Sequence, residues 1–241
     1  MGLLDLLKPK RDKVRETRSA LEAARSQQPD QEGLNGAVNR LMDLVLGLGL
    51  DGAGPLDSAT EVADQARREA SSTEAAVKKV ARSHLVGGAV GGFATSLGGF
   101  VTMPVSLPVN VLEFYVQATR MVGAIATLRG YDVREEHVRT AVLLTLVGSN
   151  ADEVLKKAGM STGGGRLASV ALGKLPPAAL LVVNKAIGFR LLRGVGEKAF
   201  SRLGRGVPLV GGLVGGGVDA WMMKKIAEQA MKEFPSTRAV R

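Results

Sequence analysis

The sequence predicts an all-α protein that forms a single bundle-like domain of about seven to nine helices, and three observations support this fold class. Apolar residues recur at the three- and four-residue spacing of a helix, and no segment alternates convincingly as a half-buried strand does. Gly and Pro fall between the periodic segments. Hydrophobic residues make up 45% of the chain but aromatic residues only 4%. We therefore expect a core of Leu, Val and Ala in which glycines mediate close helix packing.

The chain is expected to have three parts. Residues 1–31 form a charged N-terminal extension with a short apolar start, residues 32–234 form the helical domain, and residues 235–241 form a loose tail. The first residues lack the basic flank and apolar run of a secretory signal, and the chain contains no Cys. These features predict a cytoplasmic protein without disulfides.

After a highly charged helix predicted over residues 10–26, two more helices are predicted before the glycine-rich part of the chain. Residues 34–48 place apolar side chains on one helix face and run into a turn rich in Gly. Asp57 or Ser58 is expected to cap the next helix, with Glu61 completing a capping box. We expect that second helix to continue through Arg82 into the glycine-rich segment.

Four further helices are predicted from periodicity and from the position of prolines. Each ends where a Pro or a Gly cluster interrupts the apolar pattern. Asp132 is expected to begin the second of them, and Pro235 follows the last. The predicted ranges are residues 109–129, 132–157, 178–203 and 209–233.

Glycine pairs at spacing four predict close helix crossings. Residues 83–112 contain no Lys, Arg, Asp or Glu, and residues 210–218 repeat the same glycine pattern in shorter form. Two glycines four residues apart share a helix face and let a neighbouring backbone approach. The alternatives are loop glycines, or a hairpin over residues 83–112 that enters a membrane. The candidate crossing residues are Gly87, Gly88, Gly91, Gly92, Gly211, Gly212, Gly215 and Gly216.

The basic charge of the chain is concentrated in one segment. The formal net charge is +9, and residues 156–205 contain many Lys and Arg against the single acid Glu197. Such a segment favours anionic lipid headgroups, although a solvated face of a core helix is the alternative. Nucleic acid is not expected, because Phe189 and Phe200 are the only aromatic platforms there. The candidate membrane contacts are Lys185, Arg190, Arg193, Lys198, Arg202 and Arg205.

A polar stripe is predicted on the helix over residues 109–129. Asn110, Glu113, Gln117 and Arg120 are spaced to lie on one helix face among apolar neighbours. Such a stripe is commonly a solvated face. We favour a semi-buried network that binds a headgroup or fixes helix register, with Gln117 donating to Glu113 and accepting from Arg120.

Motifs that suggest an enzyme are weak. Residues 159–163 match the nucleophile elbow around Ser161, but that motif must follow a strand, and both His84 and His137 precede the serine. Residues 47–52 match a dinucleotide-binding pattern without the strand and helix that it requires. We therefore assign no catalytic, cofactor-binding or metal-binding residues.

The order of several short motifs resembles the EcsC family. The matching segments are Leu-Asp-Gly-Ala-Gly-Pro at residues 50–55, the glycine-rich residues 85–100, Met-Pro-Val-Ser-Leu-Pro at residues 103–108, Arg120 with residues 125–132, and residues 207–212 with 219–227. The resemblance implies a largely helical bacterial protein, in a family named for linkage to an ABC-transporter operon. It implies no catalytic residues.

These features together predict a non-enzymatic protein that binds lipid or associates peripherally with the inner face of the cell membrane. An apolar groove would hold lipid, and the basic segment would face anionic membrane lipid. An ABC transporter or other membrane protein is a further expected partner. The alternatives are an integral or conditionally inserting membrane protein, a transporter-associated scaffold, and a hydrolase that uses Ser161. No cofactor is expected.

Overall fold

The computed structural model describes residues 33–54, 56–98, 109–148, 156, 180, 182–188 and 208–237, and in these residues the fold is all-α, as predicted. The one β-type pairing in the described part is an isolated bridge between Ala53 and Leu56. The helices are α1 (Gly33–Leu46), a π-helical turn (Gly47–Asp51), α2 (Ala59–Arg68), α3 (Thr73–Gly98), α4 (Val109–Leu128), α5 (Glu136–Val147) and α6 (Pro208–Glu233).

The first predicted helix forms, but it ends differently. It continues past Leu46 into the π-helical turn instead of entering a turn at Gly49. A Cβ on Gly49 would lie 2.6 Å from the Cβ of Thr119 in α4, so glycine is needed for this close approach. The chain then reverses at Gly52, whose φ of 73° is readily adopted by glycine.

Helix α2 begins with the predicted capping box. The Ser58 hydroxyl accepts from the Glu61 N–H at 3.2 Å, and the Glu61 carboxylate accepts from the Ser58 N–H at 2.8 Å. Hydrogen bonds from the Ser58 backbone and then from its hydroxyl hold the pKa of Glu61 below its usual value. The cap therefore forms from local sequence, as expected.

The prediction of one helix from residue 58 through Arg82 is wrong. The chain leaves helical conformation after Arg68, and α3 begins at Thr73. The Ser72 hydroxyl accepts from the Ala75 N–H at 3.2 Å, so a second N-cap starts a new helix. An ion pair between Lys79 and Glu69, at 2.6 Å, links the two sides of the break.

Helix α4 is the central helix of the domain. It contacts α1, the π-helical turn, α2, α3, α5 and α6, and every residue from Leu112 to Ala126 is buried. A helix with neighbours on all sides has no solvated face in this stretch. The polar residues of this stretch are therefore buried against the neighbouring helices instead of facing solvent.

Helix α5 begins later and ends earlier than its sequence predicts. Asp132 lies in the preceding turn, where its carboxylate accepts from the Arg134 N–H at 3.0 Å, and the helix starts at Glu136. It ends at Val147, followed by Gly148 with a φ of 57°. The prediction that this helix continues to residue 157 is therefore wrong, because the helix ends before Gly148.

Helices α3 and α6 form the most extensive helix pair among the described elements. All eight candidate crossing glycines lie within these two helices, which rules out the loop interpretation for them. The packing immediately around these glycines lies outside the described residues. The two helices that carry the glycine pairs therefore pack against each other.

The end of the domain is anchored to the end of α4. Phe234 is fully buried and makes an edge-to-face contact with Tyr131, with ring centroids 5.3 Å apart. The Thr237 N–H and hydroxyl both donate to the Arg129 carbonyl at 3.0 Å. The loose tail predicted from residue 235 is therefore wrong as far as Thr237, and its remaining residues lie outside the described part.

Candidate functional site

The polar stripe of α4 lies inside the domain. Glu113, Gln117 and Arg120 are only 4%, 6% and 3% exposed, so these three residues do not form a solvated helix face. The Arg120 Nη2 donates to the Gln117 Oε1 at 3.5 Å, which is one of the two hydrogen bonds expected of Gln117. The side chain of Asn110 lies outside the described residues.

Two other helices bring buried polar residues to the same part of the bundle. Arg129 pairs with Glu74 of α3 at 2.9 Å and donates to the Phe234 carbonyl at 3.0 Å, which aligns one end of α3, α4 and α6. From that common end, a rise of 1.5 Å per residue places His84 and Arg120 about 14–15 Å along the bundle. The same rise places Asp219 and Glu113 about 22–24 Å along it.

We call His84, Glu113, Gln117, Arg120 and Asp219, which spread over about 9 Å along the bundle, the polar layer. All five side chains are buried, and α3, α4 and α6 contact one another in each pairing. The layer combines two carboxylates with one guanidinium. Sequence spacing found its three members on α4, whereas His84 lies on α3 and Asp219 on α6, the two helices that pack against α4.

The hydrogen bond of His84 fixes its tautomer. His84 Nδ1 lies 2.9 Å from the Val80 carbonyl oxygen, and a carbonyl can only accept. Nδ1 therefore carries a proton, and in the neutral ring Nε2 is an acceptor. The ring therefore combines a donor nitrogen directed at Val80 with an acceptor nitrogen on its other side.

The burial of the polar layer favours a role in fixing helix register. Polar groups in an apolar core are costly unless they meet each other, so a shift of α4 against its neighbours would be penalised. In the part of the chain that the structure describes, no group of three or more His, Asp or Glu side chains is arranged to hold a metal ion.

The structure around residues 47–52 does not support the dinucleotide-binding interpretation of that motif. Residues 47–52 form the end of the first helix and a tight turn rather than a link between strand and helix. Gly49 is used there for packing on Thr119. Ser161 lies outside the described residues.

The basic segment is represented by one of its six candidate residues. Lys185 is exposed on the helical residues 182–188, close to the exposed Val182. Thr140 of α5 donates to Asn184 at 2.9 Å, which fixes this segment on the domain. The other five candidates, Arg190, Arg193, Lys198, Arg202 and Arg205, lie outside the described residues.

A second surface feature was missed by the sequence analysis. Trp221, the only tryptophan of the chain, is 61% exposed on α6, and Val218 one turn before it is 46% exposed. At about 100° per residue, Trp221 lies near the middle of the exposed side of α6, opposite the buried Met223 and Ala230. The indole is therefore presented to the exterior by the same amphipathicity that buries the other face.

Charged residues surround this tryptophan. We call the exposed side of α6 the Trp221 face; its residues are Gly217, Val218, Trp221, Lys224, Lys225, Glu228 and Lys232. Lys224 and Lys225 both approach the Glu228 carboxylate, at 3.9 Å and 3.3 Å. With three lysines against one glutamate, the face is basic and has an apolar centre.

Comparisons with known proteins leave the function open to physical argument. A scan against protein-family models, a search of curated proteins and a search of solved structures each found no match to this chain. The resemblance to the EcsC family stays a prediction. None of the helices in the described residues has the length and apolarity needed to cross a membrane.

Proposed function

We propose that this chain is a non-enzymatic lipid-binding protein that associates peripherally with anionic membranes, on the cytoplasmic side. The observation that carries the proposal is the exposure of Trp221 at the centre of a basic helix face. Trp221 and Val218 together expose apolar area on one side of α6, although burying an aromatic ring normally stabilises a domain.

An interfacial role explains the composition of the Trp221 face. The indole ring is amphipathic and partitions to the headgroup region of a bilayer, where one side meets hydrocarbon and the N–H meets water. Lysines next to it can lay their alkyl stems along the apolar surface and extend their ammonium groups to phosphates. Val218 adds apolar area on the same side of the helix.

The charge distribution supports an anionic partner. The chain carries a formal net charge of +9, and the basic segment adds exposed Lys185 at a second position of the described surface. Each basic residue near an anionic bilayer contributes about 1 kcal/mol, so several together produce measurable binding. The predicted apolar groove and the predicted transporter partner stay proposals beside this one.

We assign the polar layer a structural role within this proposal. Arg120 and Glu113 lie in the centre of the domain, away from the exposed side of α6. Their burial fits the register-fixing interpretation of the stripe better than the headgroup-binding one. Lipid would therefore contact the exposed Trp221 face rather than the polar layer.

The sole tryptophan provides a direct test. Vesicles of phosphatidylglycerol and phosphatidylcholine in equal amounts should shift the Trp221 emission to shorter wavelength, and bromine-labelled acyl chains should quench it. Pure phosphatidylcholine vesicles should give a weak response. Binding followed by flotation should fall strongly in Trp221→Ala and survive better in Trp221→Phe. An emission spectrum unchanged by both vesicle types, with the protein remaining unbound, would overturn the proposal and favour a scaffold.

A further inference from the structure

We propose that Lys224 and Lys225 form a phosphate-headgroup contact of the membrane surface, and that Glu228 occupies it in the unbound protein. The inference rests on the proposed function, because it names the lipid chemistry met by the Trp221 face. It goes further because it assigns phosphate binding to two lysines and names Glu228 as the carboxylate that competes with the phosphate.

The geometry of the three side chains supports this assignment. The two ammonium groups approach different oxygens of one carboxylate, Lys224 Nζ at 3.9 Å from Oε1 and Lys225 Nζ at 3.3 Å from Oε2. A carboxylate and a phosphate both present oxygens to lysine ammonium groups. The two lysines are therefore already directed toward one anion on the exposed side of α6.

The Glu228 contacts are weak enough to exchange. All three side chains are more than two-fifths exposed, and the longer distance is near the limit of an ion pair. Exposed pairs of this kind contribute little in water because solvent and salt screen them. At an anionic bilayer, many phosphates compete for the same two ammonium groups, and the surface repels the carboxylate.

The position of Trp221 favours a bilayer over a dissolved anion. Trp221 lies one turn before Lys224 and Lys225 on the same exposed side, so the indole and the ammonium groups meet one surface together. An anion in solution would use the lysines but not the indole. The bilayer satisfies both the apolar and the charged parts of the face.

Three variants separate this inference from the general proposal. Binding is measured by vesicle flotation with the full chain, using phosphatidylglycerol–phosphatidylcholine vesicles and pure phosphatidylcholine vesicles. Glu228→Gln should strengthen binding to the anionic vesicles by about fivefold, the effect of one charge near such a surface. Lys224→Gln with Lys225→Gln should weaken it by an order of magnitude or more. Neither change should alter binding to the neutral vesicles.

Glu135→Gln is the matched control. It makes the same change of net charge at an exposed residue that forms no side-chain cap of α5. Its affinity should stay within twofold of the wild type, and thermal melts should show that all variants fold.

The outcomes distinguish failure of the inference from failure of the function. If Trp221→Ala loses binding but Glu228→Gln binds as the wild type or as Glu135→Gln does, the headgroup assignment is wrong and membrane association stands. If the wild type itself fails to bind anionic vesicles, both are wrong. Binding of the lysine variant equal to the wild type would also overturn the assignment.

Discussion

The Arg129 guanidinium joins the C-terminal ends of α4 and α6 by donating to the Phe234 carbonyl at 3.0 Å, across 105 residues of sequence. Its other terminal nitrogen pairs with Glu74 at 2.9 Å, and its own carbonyl accepts both hydrogen bonds of Thr237. One residue thereby fixes the ends of α3, α4 and α6 at a common height. That alignment places the polar layer and determines which segments of the chain become neighbours.

Truncation should show how the chain end is anchored. Removing residues 237–241 deletes both Thr237 hydrogen bonds, and each is worth about 1 kcal/mol, so urea unfolding should show a loss of about 1–2 kcal/mol. Removing residues 238–241 is the control and should leave the free energy of unfolding within about 0.5 kcal/mol. Equal stability of the two truncated chains would mean that Thr237 contributes nothing.

The polar layer should be sensitive to loss of its guanidinium. Arg120→Ala removes the guanidinium of a buried layer that also holds the carboxylates of Glu113 and Asp219, and should lower the free energy of unfolding by about 3 kcal/mol or more. Gln117→Ala should cost about 1–2 kcal/mol. The exposed Lys78→Ala, as control, should cost less than about 0.5 kcal/mol. Chemical denaturation of the three variants gives the comparison, and three near-wild-type curves would contradict the structural role.

Two glycines should respond in opposite directions to the same substitution. A Cβ on Gly123 would lie 2.9 Å from the Ala59 Cβ and still closer to Leu50, so Gly123→Ala should destabilise by about 1–3 kcal/mol. Gly217 is an exposed residue of α6 with open space at its Cβ position. Gly217→Ala should stabilise by about 0.5–1 kcal/mol through helix propensity. Thermal melts check both, and a shift of the same sign in the two variants would contradict this packing.

Acid should remove a stabilising interaction before α5. Hydrogen bonds from the Arg134 guanidinium, and then from its backbone N–H, lower the pKa of Asp132 to about 2. Because the folded-state pKa lies below the ordinary value of about 3.9, the contribution is present above pH 4 and lost as the pH falls toward 2. The melting temperature of Asp132→Asn should therefore lie below that of the wild type at neutral pH and converge with it near pH 2.

Arg134→Ala is the partner control for that pH profile. It removes the guanidinium, the larger of the two causes of the lowered Asp132 pKa, and keeps the backbone N–H, so its melting-temperature difference from the wild type should shrink over the same interval. A constant difference between the wild type and either variant from pH 7 to pH 2 would show that the interaction does not contribute to stability.

Local sequence was sufficient for the helical class and for several element ends. Periodicity gave the helices, and the spacing of Ser58 and Glu61 gave the capping box, because those interactions join residues within one or two turns. The polar stripe of α4 was also visible as spacing alone. Ser72 is a similar local signal for the start of α3, because its hydroxyl accepts from the Ala75 N–H.

The candidate site was only partly predictable from the sequence, because its burial depends on contacts between distant helices. Spacing placed Glu113, Gln117 and Arg120 on one face, but the sequence does not state what covers that face. His84 and Asp219 are buried on α3 and α6, which are distant in sequence and pack against α4. Trp221 was not singled out, because a lone tryptophan in an apolar helix is more commonly a core residue.

The sequence by itself determined the all-α class, the basic charge and the helices that carry the glycine pairs. Tertiary structure decided that α4 is surrounded on all sides, that Trp221 faces outward, and that Thr237 is held by Arg129. Helix formation and capping depend on residues within a few positions of one another, so the local sequence is enough to predict them. Burial depends on which helices, distant in sequence, pack together. Only the folded arrangement therefore shows whether the polar stripe of α4 is solvated or buried.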